Sequence, residues 1–111
     1  MYDVRHVLRK AGLRSTYSGY NYLASAVALV LKDQEFYLKN VTSNLYRVVG
    51  EQYGASNMCV EAAIRTMINS YWNQNSNKIL SPLLGYPVFD KPTASEFISM
   101  LADYIQDHSS R

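Results

Sequence analysis

Polar and small side chains recur at helical spacing along the segment that follows Gly54. This spacing gives six outward positions, which are Ser56, Asn57, Met58, Glu61, Ala62 and Arg65. In the major groove of duplex DNA, arginine pairs with guanine, asparagine with adenine and glutamate with the cytosine amino group, while apolar side chains contact the thymine methyl group. The set therefore predicts contacts with base edges, with Arg65 reaching either a guanine or a phosphate.

The same side chains also have purely structural interpretations. Glu61 and Arg65 are four residues apart, so they can form an ion pair along one helix. Ser56 stands where a helix N-cap is expected, and Asn57 either caps the helix or contacts adenine. Met58 and Ala62 are explained equally well as ordinary surface residues. Spacing alone leaves both interpretations open.

Candidate phosphate contacts precede this segment. Short polar side chains open a predicted helix at Thr42, Ser43 and Asn44. Their hydroxyl and amide groups, together with the unpaired backbone amides of a helix start, favour an anion, although each residue can instead be a plain N-cap. Two basic residues nearby, Lys39 and Arg47, complete the set of predicted phosphate contacts.

The elements that must position these residues form a helix-turn-helix over residues 46–65. Gly54 stands where the chain turns sharply, and Gly50 where the second helix would cross the first. Apolar or small residues fall on the inward faces of both helices, at Val49, Tyr53, Ala55, Val60 and Ala63. Two helices set at a steep angle by such a turn place the second helix in the major groove. The same pair also occurs as a packing motif in all-α proteins.

Helical periodicity extends through the whole sequence and predicts six helices. They cover residues 3–11, a stretch that follows Gly19, residues 41–54, 56–73, 78–84, and a final helix from residue 93. Residues 35–40 either extend the third helix or form a short lead-in. Thr93 and Glu96 form a capping box at the last helix, and the short proline-containing stretch 86–89 is a loop. The sequence predicts an all-α domain in which the third and fourth helices form the helix-turn-helix.

Length and composition favour one globular domain over residues 1–111. The chain is 48% hydrophobic, and a single cysteine, Cys59, allows no internal disulfide, as expected in a reducing cytoplasm. No run approaches the roughly 20 apolar residues that span a membrane. A net charge of +2 is weak evidence for a nucleic-acid partner. The basic residues concentrated in positions 1–14 either contact phosphates or form a solvated helix face.

Enzyme chemistry has little support in the residue types and their spacing. Cys59 has no activating histidine close to it in the sequence, because His6 and His108 lie near the two ends. No cysteines or histidines have metal-ligand spacing, and there is no glycine-rich phosphate loop. We therefore expect no catalytic residue, no metal site and no cofactor.

Several short motifs, in this order, carry a family resemblance over residues 5–108. They are Gly19-Tyr-Asn-Tyr-Leu23, Val60-Glu61, Ala63-Ile-Arg65, Trp72, Leu84-Gly-Tyr86, Lys91-Pro-Thr93, Ser95-Glu-Phe-Ile98 and Ala102-Asp103. With these motifs the chain resembles the C-terminal effector domain of the stage zero sporulation protein A family, response-regulator transcription factors of spore-forming bacteria. The resemblance implies a six-helix fold and sequence-specific binding of double-stranded DNA in the bacterial nucleoid, often by tandem copies on repeated short boxes. It also implies contact with RNA polymerase sigma factor.

Two departures from the family pattern limit what the resemblance implies. The receiver domain that controls the family's effector is absent from this sequence, which is therefore either an excised domain or a free-standing relative. Cys59 and Ala62 occupy positions where family members carry arginine. Arginine paired with guanine contributes roughly 1–3 kcal/mol of discrimination, so the family's usual target box does not carry over. The alternative function is a protein-interaction module that binds polymerase, a sigma factor or a related regulator.

Overall fold

The computed structural model describes residues 3–74 and 77–109, apart from the side chains of Asn77 and Ser109. Within these ranges all regular structure is helical, which confirms the all-α class. The α-helices are α1 (Val4–Lys10), α2 (Tyr20–Lys32), α3 (Gln34–Lys39), α4 (Arg47–Tyr53), α5 (Asn57–Asn73), α6 (Asn77–Leu84) and α7 (Ala94–Ser109). A π-helical segment, Val41–Tyr46, leads directly into α4.

The described residues thus hold seven α-helices where the periodicity predicts six, because residues 34–39 form a helix of their own. Asp33 starts α3 by accepting a hydrogen bond from the Phe36 amide at 3.2 Å. Asn40 ends it with extended backbone (φ −144°, ψ 92°), which no helix interior adopts. The stretch predicted either to extend the third helix or to lead into it is therefore a separate lead-in.

The π-helical segment replaces the first turns of the predicted third helix. The Arg47 amide donates to the Thr42 carbonyl, five residues back, where an α-helix would use Ser43. Asn40 caps this segment by accepting from the Ser43 amide at 3.2 Å. The alternative interpretation of Thr42, Ser43 and Asn44 as N-caps is therefore wrong, because the cap precedes all three.

Helix α2 lies at the centre of the fold and contacts α1, α3, α4, α5, α7 and the π-helical segment. Leu23, Val27 and Val30 on its inward side are buried, while Leu31 is only half-buried. Burying a side chain of this size stabilises the fold by about 1.5–3 kcal/mol. The core thus holds the outer helices in fixed positions around α2.

The ends of α5 and α7 are fixed by specific hydrogen bonds. At the start of α7, Thr93 Oγ1 accepts from the Glu96 amide at 3.2 Å and Glu96 Oε1 accepts from the Thr93 amide at 2.9 Å, which confirms the capping box. Near the end of α5, the buried Tyr71 hydroxyl donates to the Ala11 carbonyl after α1. Stretch 86–89 contains no regular element, as predicted. Among the helices described here, none combines the length and apolar character needed to cross a bilayer.

Candidate nucleic-acid interface

Helices α4 and α5 are joined by a turn of three residues, Gly54, Ala55 and Ser56. Gly54 has a left-handed backbone (φ 68°, ψ 34°), which glycine adopts without a steric penalty from a Cβ atom. The Ala55 amide then donates to the Gly50 carbonyl at 2.8 Å and closes the end of α4. A glycine-containing turn of this length fixes the direction in which α5 leaves α4.

The close approach between α4 and the turn depends on Gly50. A Cβ atom at this position would lie 2.3 Å from the Ala55 carbonyl oxygen, so no larger residue fits without a shift of the backbone. Val49 and Val60 are fully buried beside this contact, as their inward positions predict. Tyr53 departs from that prediction, because its ring is 43% exposed and packs edge-on against Tyr22 of α2.

One side of α5 faces the core and the opposite side faces solvent. The buried side consists of Val60, Ile64, Met67, Ile68 and Tyr71. On the other side Met58 is 77% exposed and Arg65 is exposed, while Asn57, Glu61 and Ala62 are half-buried. The predicted base-contacting residues thus lie on the accessible side of the helix. Cys59 and Thr66, seven residues apart, are also exposed there and lie outside the predicted set, although their spacing could have identified them.

Ser56 provides the N-cap of α5. Its side chain accepts from the Cys59 amide at 3.1 Å, and its backbone is extended (φ −76°, ψ 159°). Asn57 is the first helical residue, so it does not cap the helix. The capping interpretation therefore applies to Ser56, and the Asn57 side chain is available for other contacts.

Glu61 and Arg65 form the ion pair that their spacing predicts, with Glu61 Oε1 and Arg65 Nη1 2.5 Å apart. The pair occupies one of the five guanidinium N–H donors, so Arg65 retains hydrogen-bonding capacity. Tyr46 is buried close enough to Glu61 to feel its charge. Burial, and to a lesser degree the charge of Glu61, raise the pKa of Tyr46 from 10.0 to about 12.

An open groove of about 590 Å³ runs along the Glu61 side of α5. The start of the π-helical segment borders it with Val41 and Thr42, and the start of α7 borders it with Thr93, Ala94 and Ser95. Among the predicted phosphate contacts, Thr42 lines this groove, and Ser43 is exposed beside it in the chain. The groove thus brings the start of α7 together with the π-helical segment and α5.

The remaining predicted phosphate contacts differ in whether their side chains already form hydrogen bonds or ion pairs within the protein. The Asn44 side-chain amide donates to the Phe36 carbonyl at 2.8 Å and ties the π-helical segment to α3. Arg47 pairs with Glu51 at 2.8 Å and donates through Nε to the Ser43 carbonyl at 2.9 Å. Lys39 is exposed at the end of α3. Asn44 and Arg47 therefore support the backbone, and Lys39 remains an accessible cation.

The comparison with known families gives a match over almost the whole chain. A family model described as sporulation initiation factor Spo0A, C terminal, matches residues 4–105. The match includes the turn at Gly54, all of α5 and the start of α7, which are the elements that form the exposed side and the groove.

Proposed function

The chain belongs to the Spo0A C-terminal family, whose members are DNA-binding effector domains, and from this premise we propose that it is a sequence-specific regulator of transcription that inserts α5 into the major groove of double-stranded DNA. The observation that carries the proposal is the division of α5 into two sides. Val60, Ile64 and Met67 are buried in the core, while Met58 and Arg65 are exposed on the opposite side of the helix. A helix held in this way can enter a groove without any rearrangement of the domain.

The accessible side of α5 supplies a varied set of base contacts. Arg65 pairs with guanine and Glu61 accepts from the cytosine amino group, while Asn57 pairs with adenine. The Met58 side chain and the Ala62 methyl group contact thymine methyl groups. Ser56, whose oxygen accepts from the Cys59 amide, donates its hydroxyl proton to a base edge at the start of the helix.

Phosphate contacts come from the elements that precede α4. The Thr42 and Ser43 hydroxyls and the Lys39 ammonium group are exposed, and they contact the strand beside α5. Asn44 and Arg47, which the fold already engages, hold the backbone of this region in place and add contacts only through their remaining donors. These contacts fix the register of α5 on the duplex and carry no sequence information themselves.

The family resemblance also supports a proposal about wider partners. Two copies occupy tandem sites on DNA as a dimer, and surfaces outside α5 contact RNA polymerase sigma factor. The protein acts in the bacterial cytoplasm at the nucleoid.

One observation favours a second function, a protein-interaction module with little specific DNA binding. Cys59 is exposed and Ala62 is half-buried on the accessible side of α5, and both stand where arginine is expected from the family resemblance. Each arginine lost removes roughly 1–3 kcal/mol of base discrimination. In this case the fold is retained and the partner is polymerase or a sigma factor.

Selection from a random pool of duplex DNA at physiological salt distinguishes the two functions. An enriched motif that requires Arg65 supports the DNA-binding regulator, and Arg65→Ala is the variant that tests this requirement. No enrichment, together with direct binding of the domain to purified RNA polymerase holoenzyme, contradicts specific DNA binding and supports the interaction module.

A further inference from the structure

Lys91, in the loop before α7, is bound to α5 although the two are distant in sequence. Its Nζ donates to Asn69 Oδ1 at 2.6 Å across 22 residues of chain. Asn69 follows Arg65 by four residues, so the two side chains lie one above the other on the same edge of α5, about 6 Å apart along the helix axis. The Lys91–Asn69 pair therefore extends the accessible edge of α5 by one turn beyond Arg65.

A small cavity joins this pair to the groove. It has a volume of about 250 Å³, and its polar lining consists of Glu61, Arg65, Asn69, Lys91 and Thr93. Glu61, Arg65, Thr93 and Ala94 line both the cavity and the groove, so the two are adjacent. The lining carries two positive charges, on Arg65 and Lys91, against the one carboxylate of Glu61. The excess positive charge favours an anion.

The charge of Lys91 is not neutralised within the described part of the chain. The ion pairs there join Arg47 to Glu51 and Arg65 to Glu61, and no described carboxylate lies within 4.0 Å of the Lys91 ammonium group. Asn69 is a neutral acceptor that takes one of the three ammonium protons. Lys91 is exposed and also borders a second cavity with Asp90 and Glu96, and its other N–H donors are available to a partner.

We propose that Lys91 binds a backbone phosphate of the DNA strand that runs past α5, with Asn69 as its positioning residue. The inference rests on the proposed DNA binding and adds a contact that lies outside the helix-turn-helix. In this arrangement Arg65 and the residues before it reach base edges, while Lys91 neutralises a phosphate one helical turn further along the same edge. The hydrogen bond with Asn69 holds the flexible lysine in place before DNA arrives, which lowers the entropy lost on binding.

Salt dependence of binding by the full chain measures this contact. Each phosphate neutralised adds about −0.9 to the slope of log affinity against log salt for B-form DNA. We expect Lys91→Ala to make the slope shallower by about 0.9. Between 50 and 200 mM salt, the factor by which the affinity of this variant falls is therefore about three to four times smaller than the factor for the wild type. At low salt, Lys91→Ala lowers the affinity for the selected motif and the affinity for an unrelated duplex by the same factor. The control variant Lys91→Arg retains the wild-type slope.

Two further variants separate the contact from a structural role. Lys78→Ala removes an exposed lysine of α6 that lines neither the groove nor the cavity, and it leaves the slope unchanged. Asn69→Ala weakens binding in the wild type and has no additional effect in the Lys91→Ala background, because it acts only through the lysine.

The possible outcomes separate this inference from the proposed function. If the wild type binds duplex DNA with a clear salt dependence and Lys91→Ala has the same slope, the phosphate contact is disproved and the DNA-binding function stands. A Lys91→Ala variant that only lowers the urea midpoint of unfolding, with an unchanged slope, also disproves it. If the wild type shows no salt-dependent binding to duplex DNA, both proposals fail together.

Discussion

Arg65 has one partner in the free chain and a different one in the proposed complex, and the magnitudes of the two interactions decide between them. Its pairing with Glu61 is an exposed contact along one helix, which stabilises a helix by about 0.2–0.5 kcal/mol. A bidentate contact with guanine contributes about 1–3 kcal/mol. In the proposed complex the contact with guanine would therefore outweigh the ion pair.

Replacement of this arginine tests whether it contacts a base. We expect Arg65→Ala to lower affinity for the selected site by about 5- to 150-fold and to relax discrimination at a single base pair. Competition assays with duplexes that differ at one position measure both effects. The free energy of unfolding in urea should change by less than about 0.5 kcal/mol, because the side chain is on the surface. An equal loss on all sequences would instead assign Arg65 to a phosphate.

Tyr46 gives the domain a dependence on alkaline pH. Its folded-state pKa of about 12 exceeds the ordinary value of 10.0, so the folded chain holds the phenolic proton more tightly than the unfolded chain does. Its contribution to stability is therefore complete below about pH 10 and is lost as the pH rises through about 12. We expect the urea midpoint of the wild type to fall over this range more steeply than that of Tyr46→Phe.

Some alkaline loss remains in the Tyr46→Phe variant, because burial also raises the pKa of Tyr71. The informative quantity is the difference between the two midpoint curves, which should change progressively from about pH 10 to about pH 12. Parallel curves would show that Tyr46 ionises as easily in the folded chain as in the unfolded one.

At the scale of the helices, two glycines four residues apart have different roles. Gly50 is required by space, since a Cβ atom there would meet the Ala55 carbonyl oxygen at 2.3 Å. Gly54 is required by conformation, since its φ is +68° while a Cβ atom there would meet nothing within 4 Å. Substitution of each by alanine therefore tests a different physical effect at the same turn.

We expect Gly50→Ala to destabilise the domain by about 1–3 kcal/mol and to weaken DNA binding, because α4 must move away from the turn. Gly54→Ala should cost about 1–2 kcal/mol from its left-handed backbone and leave the packing of α5 unchanged. Urea unfolding measures the change in stability, and affinity for the selected site measures the change in binding. Binding weakened more by Gly54→Ala than by Gly50→Ala would contradict this division of roles.

The sequence predicts those parts of these helices that depend on local interactions. The turn glycine, the Ser56 cap and the capping box of α7 involve residues within four positions of one another, so spacing is enough to find them. The side of α5 that faces solvent follows from its apolar period.

Contacts between different elements account for much of what the sequence does not predict. The separate helix α3 and the π-helical segment are linked by the bond from Asn44 to the Phe36 carbonyl, which no periodicity reveals. Tyr53 packs at the surface, where its ring contacts Tyr22 of another helix and its hydroxyl is 3.0 Å from Ser25 Oγ. Likewise, the bond between Lys91 and Asn69 exists only because α7 starts beside α5.

At the scale of the whole molecule, the arrangement of helices around α2 sets the length of DNA that one copy can cover. The Cα atoms extend over 34 × 34 × 22 Å. One turn of B-form DNA spans about 34–36 Å and 10–10.5 base pairs. In the proposed complex a single copy would therefore cover about one turn of DNA.

We expect hydroxyl-radical footprinting at the selected site to show protection of about 10–12 base pairs for each bound copy. Two copies on tandem sites should protect two adjacent stretches of this length. An unrelated duplex of equal length serves as the control and should show no discrete boundary. Protection much longer than one turn from a single copy would contradict binding through the α5 side of this domain.

The π-helical segment holds one residue more than an α-helix would over the same rotation, because it closes with a bond from the Arg47 amide to a carbonyl five residues back. Loss of one residue between positions 41 and 46 would let the chain return to ordinary α-helical winding. The chain on both sides of the deletion would keep its direction, so α3 and α5 would stay in place. In descendants of this gene, single-residue length changes here would alter the polar side chains of this segment while leaving the proposed recognition helix unchanged.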